Sequence, residues 1–398
     1  MKHKSLVYLQ SGGPTPVINS SFYGLLIKAL VNPEIDGIYG SRFGVEGLIN
    51  DDLVDLRKED LDQIDLLTQT PGAILGSSRK RIADDEESMK KIRETVKKHD
   101  IGYVFVNGGN DSMDTCMRLK YGLKDMDIKV IGIPKTIDND LLYNDHTPGY
   151  FSSAKHNINA LKGLAADINS YKKGKVTFVE CMGRDTGWLA ASTAILDEPF
   201  CPDLVYIPEM KFDMDVLFEQ IKEIYAKKGY ALIVVSEGLQ VMNEDDLEKD
   251  SFGHALFEGA ASAHLARMVK EKMGLPSREI DLCLLARNDV QNISSIDRKE
   301  AIAAGEFAFE SALAGESGKT VCLKRVSTHP YVAERYLVDC DKIANQIAYV
   351  PQDWILGPGQ LDKEKVAEYL SPLMNEKLAT LNTSKGLPVL THFKFIKA

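Results

Sequence analysis

The stretch Pro134-Lys135-Thr136-Ile137-Asp138-Asn139-Asp140 sets two carboxylates, a hydroxyl and an amine within one short loop. Together they offer a proton acceptor, a hydrogen-bond donor and a counter-charge for a phosphoryl group in transfer. Asp-Asn-Asp after a proline also suits an Asx-turn, yet the density of functional groups argues for chemistry. Three other segments have an anion-holding character. In Ser11-Gly12-Gly13-Pro14-Thr15-Pro16 the paired glycines let backbone amides approach a phosphate, and the helix that follows adds partial positive charge. This segment matches neither GxGxxG nor GxxxxGK[ST], so a plain tight turn explains it equally well. Gly76-Ser77-Ser78-Arg79-Lys80 joins two hydroxyls to two cations, either as an anion fork or as a solvated turn. Asn107-Gly108-Gly109-Asn110-Asp111-Ser112 adds oxygen ligands suited to magnesium, although Asp111 and Ser112 would serve equally as a helix cap and its neighbour.

These loops need a frame that brings them together. Short apolar or β-branched runs recur, each followed by a helical stretch: LVYLQ before PVINSSFYGLLIKAL, YVFVNG before SMDTCMRLKYGL, KVTFVEC before TGWLAASTAIL, and ALIVVSEG before a later helix. KVIGIP, EIDLCLLA and TVCLKR are further strand candidates. Strands alternating with helices predict an α/β fold with largely parallel sheets covered on both faces. In such sheets ligands lie at the carboxyl ends of the strands, where the unusual loops fall. A cluster of turn residues, DNDLLYNDHTPG, marks a first interdomain crossing near Gly149. The acidic stretches Asp84 to Glu87 and Asn243 to Asp250 read as solvated faces or loops.

A chain of 398 residues exceeds one ordinary core and predicts two domains. The net charge of -10 argues against nucleic acid or an anionic membrane as the main partner, so cations must be concentrated in a pocket. The first apolar run, Ser5 to Gln10, is too short for a signal or a membrane span, which predicts a cytoplasmic protein. Six scattered cysteines, with no CxxC pair, predict buried thiols rather than a disulfide or zinc framework.

The segments SGGPTPVIN, GSSR, GGNDS, PKTIDND, MGRDTGW and SEG, in that order between Ser11 and Glu237, resemble the phosphofructokinase family. A weaker similarity continues through SREIDLCLLAR, DRKEA and YVPQDWI. The resemblance implies two Rossmann-like three-layer domains facing each other across an active-site cleft. Residues 1–150 with about 288–340 would hold the phosphoryl donor, and 151–287 with about 341–398 the sugar phosphate. It also implies Mg2+ as cofactor, fructose 6-phosphate as acceptor, and a homodimer or homotetramer, because in the family a second subunit helps to grip the sugar's phosphate.

By the same resemblance, Asp138 is the base for the sugar hydroxyl, Thr136 bonds the transferring group, and Asp140 supports the base or the magnesium shell. Arg184 bridges donor and acceptor phosphates, Met182 and Gly183 beside it bind the sugar substrate, and Glu237 grips sugar hydroxyls. Arg278 and Arg287, nine positions apart, match the arginines that hold the sugar's phosphate. Gly13, Arg79, Asp111, Ser112 and Lys135 face the donor, and Asn110 and Asp111 the metal.

Two positions point to the donor. ATP-using members commonly have glycine at Asp111 and many have it at Lys135. A carboxylate about 4 Å from the α-phosphate of ATP repels it by about 4 kcal/mol at an effective dielectric near 20. Aspartate with lysine is the pattern of the pyrophosphate-dependent branch, so inorganic pyrophosphate is the expected donor, with ATP the alternative. The chain also departs from the family pattern. Asn110 stands for a magnesium-binding aspartate, Ala286 for a glutamine, Leu284 for a sugar-contacting histidine, and Lys175 for an arginine that reaches a neighbour's sugar site. These departures leave room for another sugar phosphate, such as sedoheptulose 7-phosphate. They also admit a non-catalytic sugar-phosphate sensor, against which the retained Asp138, Thr136 and Arg184 argue.

Overall fold

A computed structural model describes residues 4–80, 82, 86–241, 260–377 and 379–398. Of the stretches read above as solvated and acidic, Asp84, Asp85 and the whole of Asn243 to Asp250 lie outside the described residues, whereas Glu86 and Glu87 are exposed at the start of the helix Glu86–Lys98. The chain opens with β1 (Lys4–Gln10), β2 (Ile35–Ser41), β3 (Leu53–Asp55), β4 (Ile101–Gly108) and β5 (Lys129–Pro134). A second group follows: β6 (Val176–Cys181), β7 (Leu204–Tyr206), β8 (Ala231–Ser236) and β9 (Ser277–Asp281). The chain then returns with β10 (Lys319–Ser327) and β11 (Val332–Asp339).

Two sheets result. The first has seven strands in the order β11-β10-β5-β4-β1-β2-β3, and the second has four in the order β7-β8-β6-β9. Pairing is parallel except for β2 with β3 and β10 with β11 at the edges of the larger sheet. The central strands are buried on both faces, as their unbroken apolar runs require: Val104, Phe105 and Val106 of β4 and Ile233, Val234 and Val235 of β8 have no exposed surface.

The helix Tyr150–Ile168 leads from one sheet to the other and starts at Gly149, whose φ of 115° suits glycine. The carboxyl-terminal residues divide between the two cores. Val350, Val366, Leu370 and Leu373 join the core around β6 and β8, whereas Phe393 packs with Phe22 and Tyr8 in the core around β1. All six cysteines are free thiols, and only Cys201 is not buried.

One predicted strand is shorter than its apolar run. EIDLCLLA is extended only to Asp281, and Cys283–Ala286 is helical. The carboxylate of Asp281 accepts a hydrogen bond from the Cys283 amide at 2.7 Å, which turns the chain out of the strand. That turn decides where Arg287, its next residue, can reach.

Candidate active site

The carboxyl ends of β1, β4 and β5 in one sheet and of β6 and β8 in the other open onto one cleft of about 450 Å³. Its walls carry Gly13, Arg79, Asn110, Asp111, Ser112, Lys135, Thr136, Asp138, Asp140, Met182, Arg184, Glu237 and Arg287. Residues as distant in the chain as Gly13 and Arg287 therefore share one cavity, because parallel strands deliver their terminal loops to the same edge.

The TIDND loop is held from several sides. The Asp138 amide donates to Thr136 Oγ1 at 3.1 Å, and Thr186 Oγ1 donates to the Asp138 carbonyl at 3.1 Å. Asn139 takes a left-handed φ of 58°, its Oδ1 accepting from the Thr147 amide at 2.9 Å and its Nδ2 donating to the Tyr369 hydroxyl at 2.8 Å. The backbone is thus fixed while the carboxylates stay available. Oδ1 of Asp138 and Oδ1 of Asp140 are buried with no hydrogen-bond partner among the described residues. Burial raises the Asp138 carboxyl, an effect opposed by the charges of Arg287, Arg184 and Lys135. Burial, with the charge of Asp138 beside it, pushes Asp140 up to about 7.

Lys135 is almost fully enclosed, and its Nζ donates to the Gly13 carbonyl at 2.5 Å. Burial, followed by the nearby Arg287 charge, pushes the ammonium down to about 7. An anion bound beside it would restore the ammonium, so donor binding at pH 8 should take up a proton. Calorimetric titration of the donor in buffers of different ionisation enthalpy would detect this, and donor affinity should fall as pH rises from about 7 towards 9. Equal heats in all buffers at pH 8 would rule the linkage out. The stability sign is separate: between about 7 and about 10.4 the unfolded chain holds the lysine proton and the folded chain does not, so this group makes folding more favourable as pH rises through that window.

Gly183 has a φ of 137°, and a Cβ there would meet the Thr186 carbonyl oxygen at 2.3 Å, so the turn that presents Arg184 requires glycine. Arg184 Nε donates to Asp185 at 3.3 Å. Glu237 is buried, and its Oε1 accepts from the Gly183 amide at 3.1 Å, tying β8's end to β6's.

Two expected residues sit differently. Asn110 Oδ1 accepts from the Asn345 amide at 2.7 Å and its Nδ2 donates to the Gln346 carbonyl at 2.6 Å. Its amide tethers residues 345–346, a role that the sequence did not announce beside the expected metal contact. An aspartate could not donate to that carbonyl, and this accounts for the amide at this position. Arg278 does not line the cleft; its Nε donates to Thr177 Oγ1 at 3.0 Å and its Nη2 lies 3.6 Å from Asp167.

Sequence reasoning missed Asn345 and Ile347, which also line the cleft. They belong to a strap that crosses it: Leu141 pairs with Ile347, the Ala348 amide donates to the Asp140 carbonyl at 2.9 Å, and Trp188 Nε1 donates to the Ala348 carbonyl at 2.8 Å. Val350 completes it, its amide donating to Glu209 at 3.0 Å. Only its end, Tyr349 and Val350, falls in a segment quoted above, YVPQDWI, and its backbone contacts leave no mark in residue type. Thr186, missed as a positioning group, stands inside the MGRDTGW segment.

Two buried carboxylates, several cations and glycine-bordered helix starts at the joint edge of two largely parallel sheets are the equipment of a phosphotransferase. The phosphofructokinase family model matches residues 5–312, and the chain belongs to that family. It is 34% identical over 388 residues to the pyrophosphate–fructose 6-phosphate 1-phosphotransferase of Halomonas elongata, covering 94% of this chain and 92% of that one. It is 32% identical to a sulfofructose kinase of Alkalicoccus urumqiensis, covering 82% and 84% of the two chains. The solved structure of a pyrophosphate-dependent phosphofructokinase from Nitrosospira multiformis superposes with a TM-score of 0.89 at 31% identity, covering 100% of this chain and 98% of that chain. Among the described residues no helix is long and apolar enough to cross a membrane.

Proposed function

We propose that the chain catalyses magnesium-dependent, reversible phosphoryl transfer from pyrophosphate to the 1-hydroxyl of fructose 6-phosphate, giving fructose 1,6-bisphosphate and phosphate. The observation that carries this reading is the unpartnered Oδ1 of Asp138 in a cleft that it shares with Lys135, Arg184 and Arg79. Asp138 accepts the hydroxyl proton as the sugar oxygen bonds to the donor phosphorus. The bond from that phosphorus to the bridging oxygen breaks, and phosphate leaves. Arg184, Lys135 and Arg79 offset the charge spread over the phosphoryl oxygens. Glu237 accepts hydrogen bonds from sugar hydroxyls.

The donor set suits magnesium held jointly by protein and donor. Among the described residues no three carboxylates, histidines or cysteines gather to hold a metal alone, whereas Asp111 lines the cleft and the Asp140 Oδ1 has no partner. Bound there with donor oxygens, Mg2+ would neutralise charge on the transferring group. The names borne by the Halomonas and Nitrosospira relatives support pyrophosphate as donor, as do Asp111 and Lys135. The name of the sulfofructose kinase relative keeps sulfofructose in view as a second acceptor. A homodimer or homotetramer in the cytoplasm completes the proposal: Arg278 lies off its own cleft, and Leu284 and Leu285 beside the Arg287 turn are exposed.

Purified protein assayed with pyrophosphate and ATP against fructose 6-phosphate and sedoheptulose 7-phosphate, beside an Asp138→Ala control, tests this. Product from pyrophosphate and fructose 6-phosphate is expected. Product from ATP alone would overturn the donor, and sugar-phosphate binding with no turnover from any donor would make the chain a sensor.

A further inference from the structure

The TIDND loop extends from β5 of the larger sheet, yet two of its carbonyls are held by segments that pack with the smaller one. The Asp138 carbonyl accepts from Thr186 Oγ1 at 3.1 Å, and the Asp140 carbonyl accepts from the Ala348 amide at 2.9 Å. Thr186 stands in the turn after β6, two residues beyond Arg184, and Ala348 stands in the strap. Oδ1 of Asp138 and Oδ1 of Asp140 have no partner among the described residues, so the backbone that these two segments grip decides where those oxygens lie.

The two segments are themselves fastened together outside the cleft. Glu209, three residues past the end of β7, receives both. Its Oε1 accepts from the Val350 amide at 3.0 Å, and its Oε1 and Oε2 accept from the Gly187 amide at 3.2 and 3.1 Å. Gly187 and Val350 are buried, so this one carboxylate satisfies two backbone donors that would otherwise be left without a partner. A Cβ on Gly187 would lie 2.2 Å from the Ile207 Cβ and 3.0 Å from Glu209 Oε2, so glycine lets the turn press against the segment that carries the carboxylate. Trp188 makes a second fastening, its Nε1 donating to the Ala348 carbonyl at 2.8 Å. Neither Glu209 nor Trp188 lines the cleft.

Resting on the phosphoryl-transfer reading above, we propose that Glu209 is a positioning residue for the reaction: it joins the turn bearing Arg184 and Thr186 to the strap, and so fixes where Asp138 and Asp140 stand against Arg184. It acts through the backbone of the TIDND loop and touches no substrate. Trp188 supports the same join from the other side.

Steady-state kinetics of the full-length protein with pyrophosphate and fructose 6-phosphate, beside melting curves, test this on the wild type, Glu209→Ala, Glu209→Gln and Trp188→Phe. Glu209→Ala should lower kcat per folded protein by about tenfold to a hundredfold and leave both KM values within about threefold, as expected for reacting groups displaced by about 1 Å. Glu209→Gln keeps an oxygen able to accept from both amides and should stay within about fivefold of the wild type. Trp188→Phe keeps an aromatic ring, removes the donor to Ala348, and should lower kcat in the same selective way. A residue serving stability alone would lower the melting temperature and leave kcat per folded protein unchanged, which overturns the assignment. A loss confined to KM, or a Gln variant as slow as the Ala variant, overturns it as well. If Glu209→Ala does not fold, the split between kcat and KM in Trp188→Phe decides. The wild-type rates test the reaction separately: product from ATP and not from pyrophosphate would sink the donor reading alone, and the variants would then be compared on ATP. No turnover of the wild type with either donor would sink the reaction and the positioning role with it.

Discussion

Asp138→Asn is expected to lower kcat by about a hundredfold to ten-thousandfold, the range a placed general base supplies. The effect should fall on kcat because the side chain offers its free oxygen to the reacting hydroxyl and not to the fold. Oδ1 of Asp138 is unpartnered, and the loop is held by the Asp138 backbone, through Thr136 Oγ1 and Thr186 Oγ1. The amide keeps the shape and removes the proton acceptor. It also removes a charge that burial opposes, so the variant should be no less stable to heat than the wild type. Steady-state rates with pyrophosphate and fructose 6-phosphate, beside a melting curve, separate the two effects. Wild-type turnover in a folded Asp138→Asn variant would mean that another group takes the proton.

The second large effect concerns the donor. Asp111→Gly should raise the ratio of kcat/KM for ATP over pyrophosphate by about tenfold to a thousandfold. Two unit charges about 4 Å apart repel by about 4 kcal/mol at an effective dielectric near 20 and by about 1 kcal/mol in bulk water. Asp111 is exposed at the cleft wall, in the first turn of the helix Asn110–Gly122, so solvent screening brings the expected effect below the upper limit. Removing a carboxylate from the first turn should also cost the helix about 0.3–1 kcal/mol. The comparison therefore uses the ratio of the two donors, which a general loss of stability leaves untouched. An unchanged ratio would show that Asp111 does not discriminate between them.

Much of the centre was legible in the chain because each loop follows directly on its strand. PKTIDND ends β5, GGNDS ends β4, SGG ends β1 and MGR ends β6, so the local pattern of an apolar run, then glycine and polar groups, already marks a strand end facing ligand. Apolar runs of the same kind announced β1, β4, β5, β6, β8 and β10. Of the strands they did not announce, β7 has only three residues, IDGIYGS in β2 is broken by glycine, and VAERYLVD in β11 is an edge strand interrupted by charged residues. The Cys283–Ala286 turn was hidden because its residues are as apolar as a strand, and one Asp281 carboxylate decided the matter.

By itself, then, the order of residues determined the largely parallel framework, the loops that line the cleft and Asp138 as the base to test, since periodicity and turn chemistry act over a few neighbouring positions. Tertiary structure alone decided that Asn110 ties down residues 345–346, that the strap to Val350 closes on the Asp140 loop, and that Arg278 and Arg287 part company. Those outcomes hang largely on backbone carbonyls and amides reached from as many as 236 positions away, by side chains as well as by other backbone groups. Every residue carries the same backbone groups, so no choice of side chain announces which of them will meet.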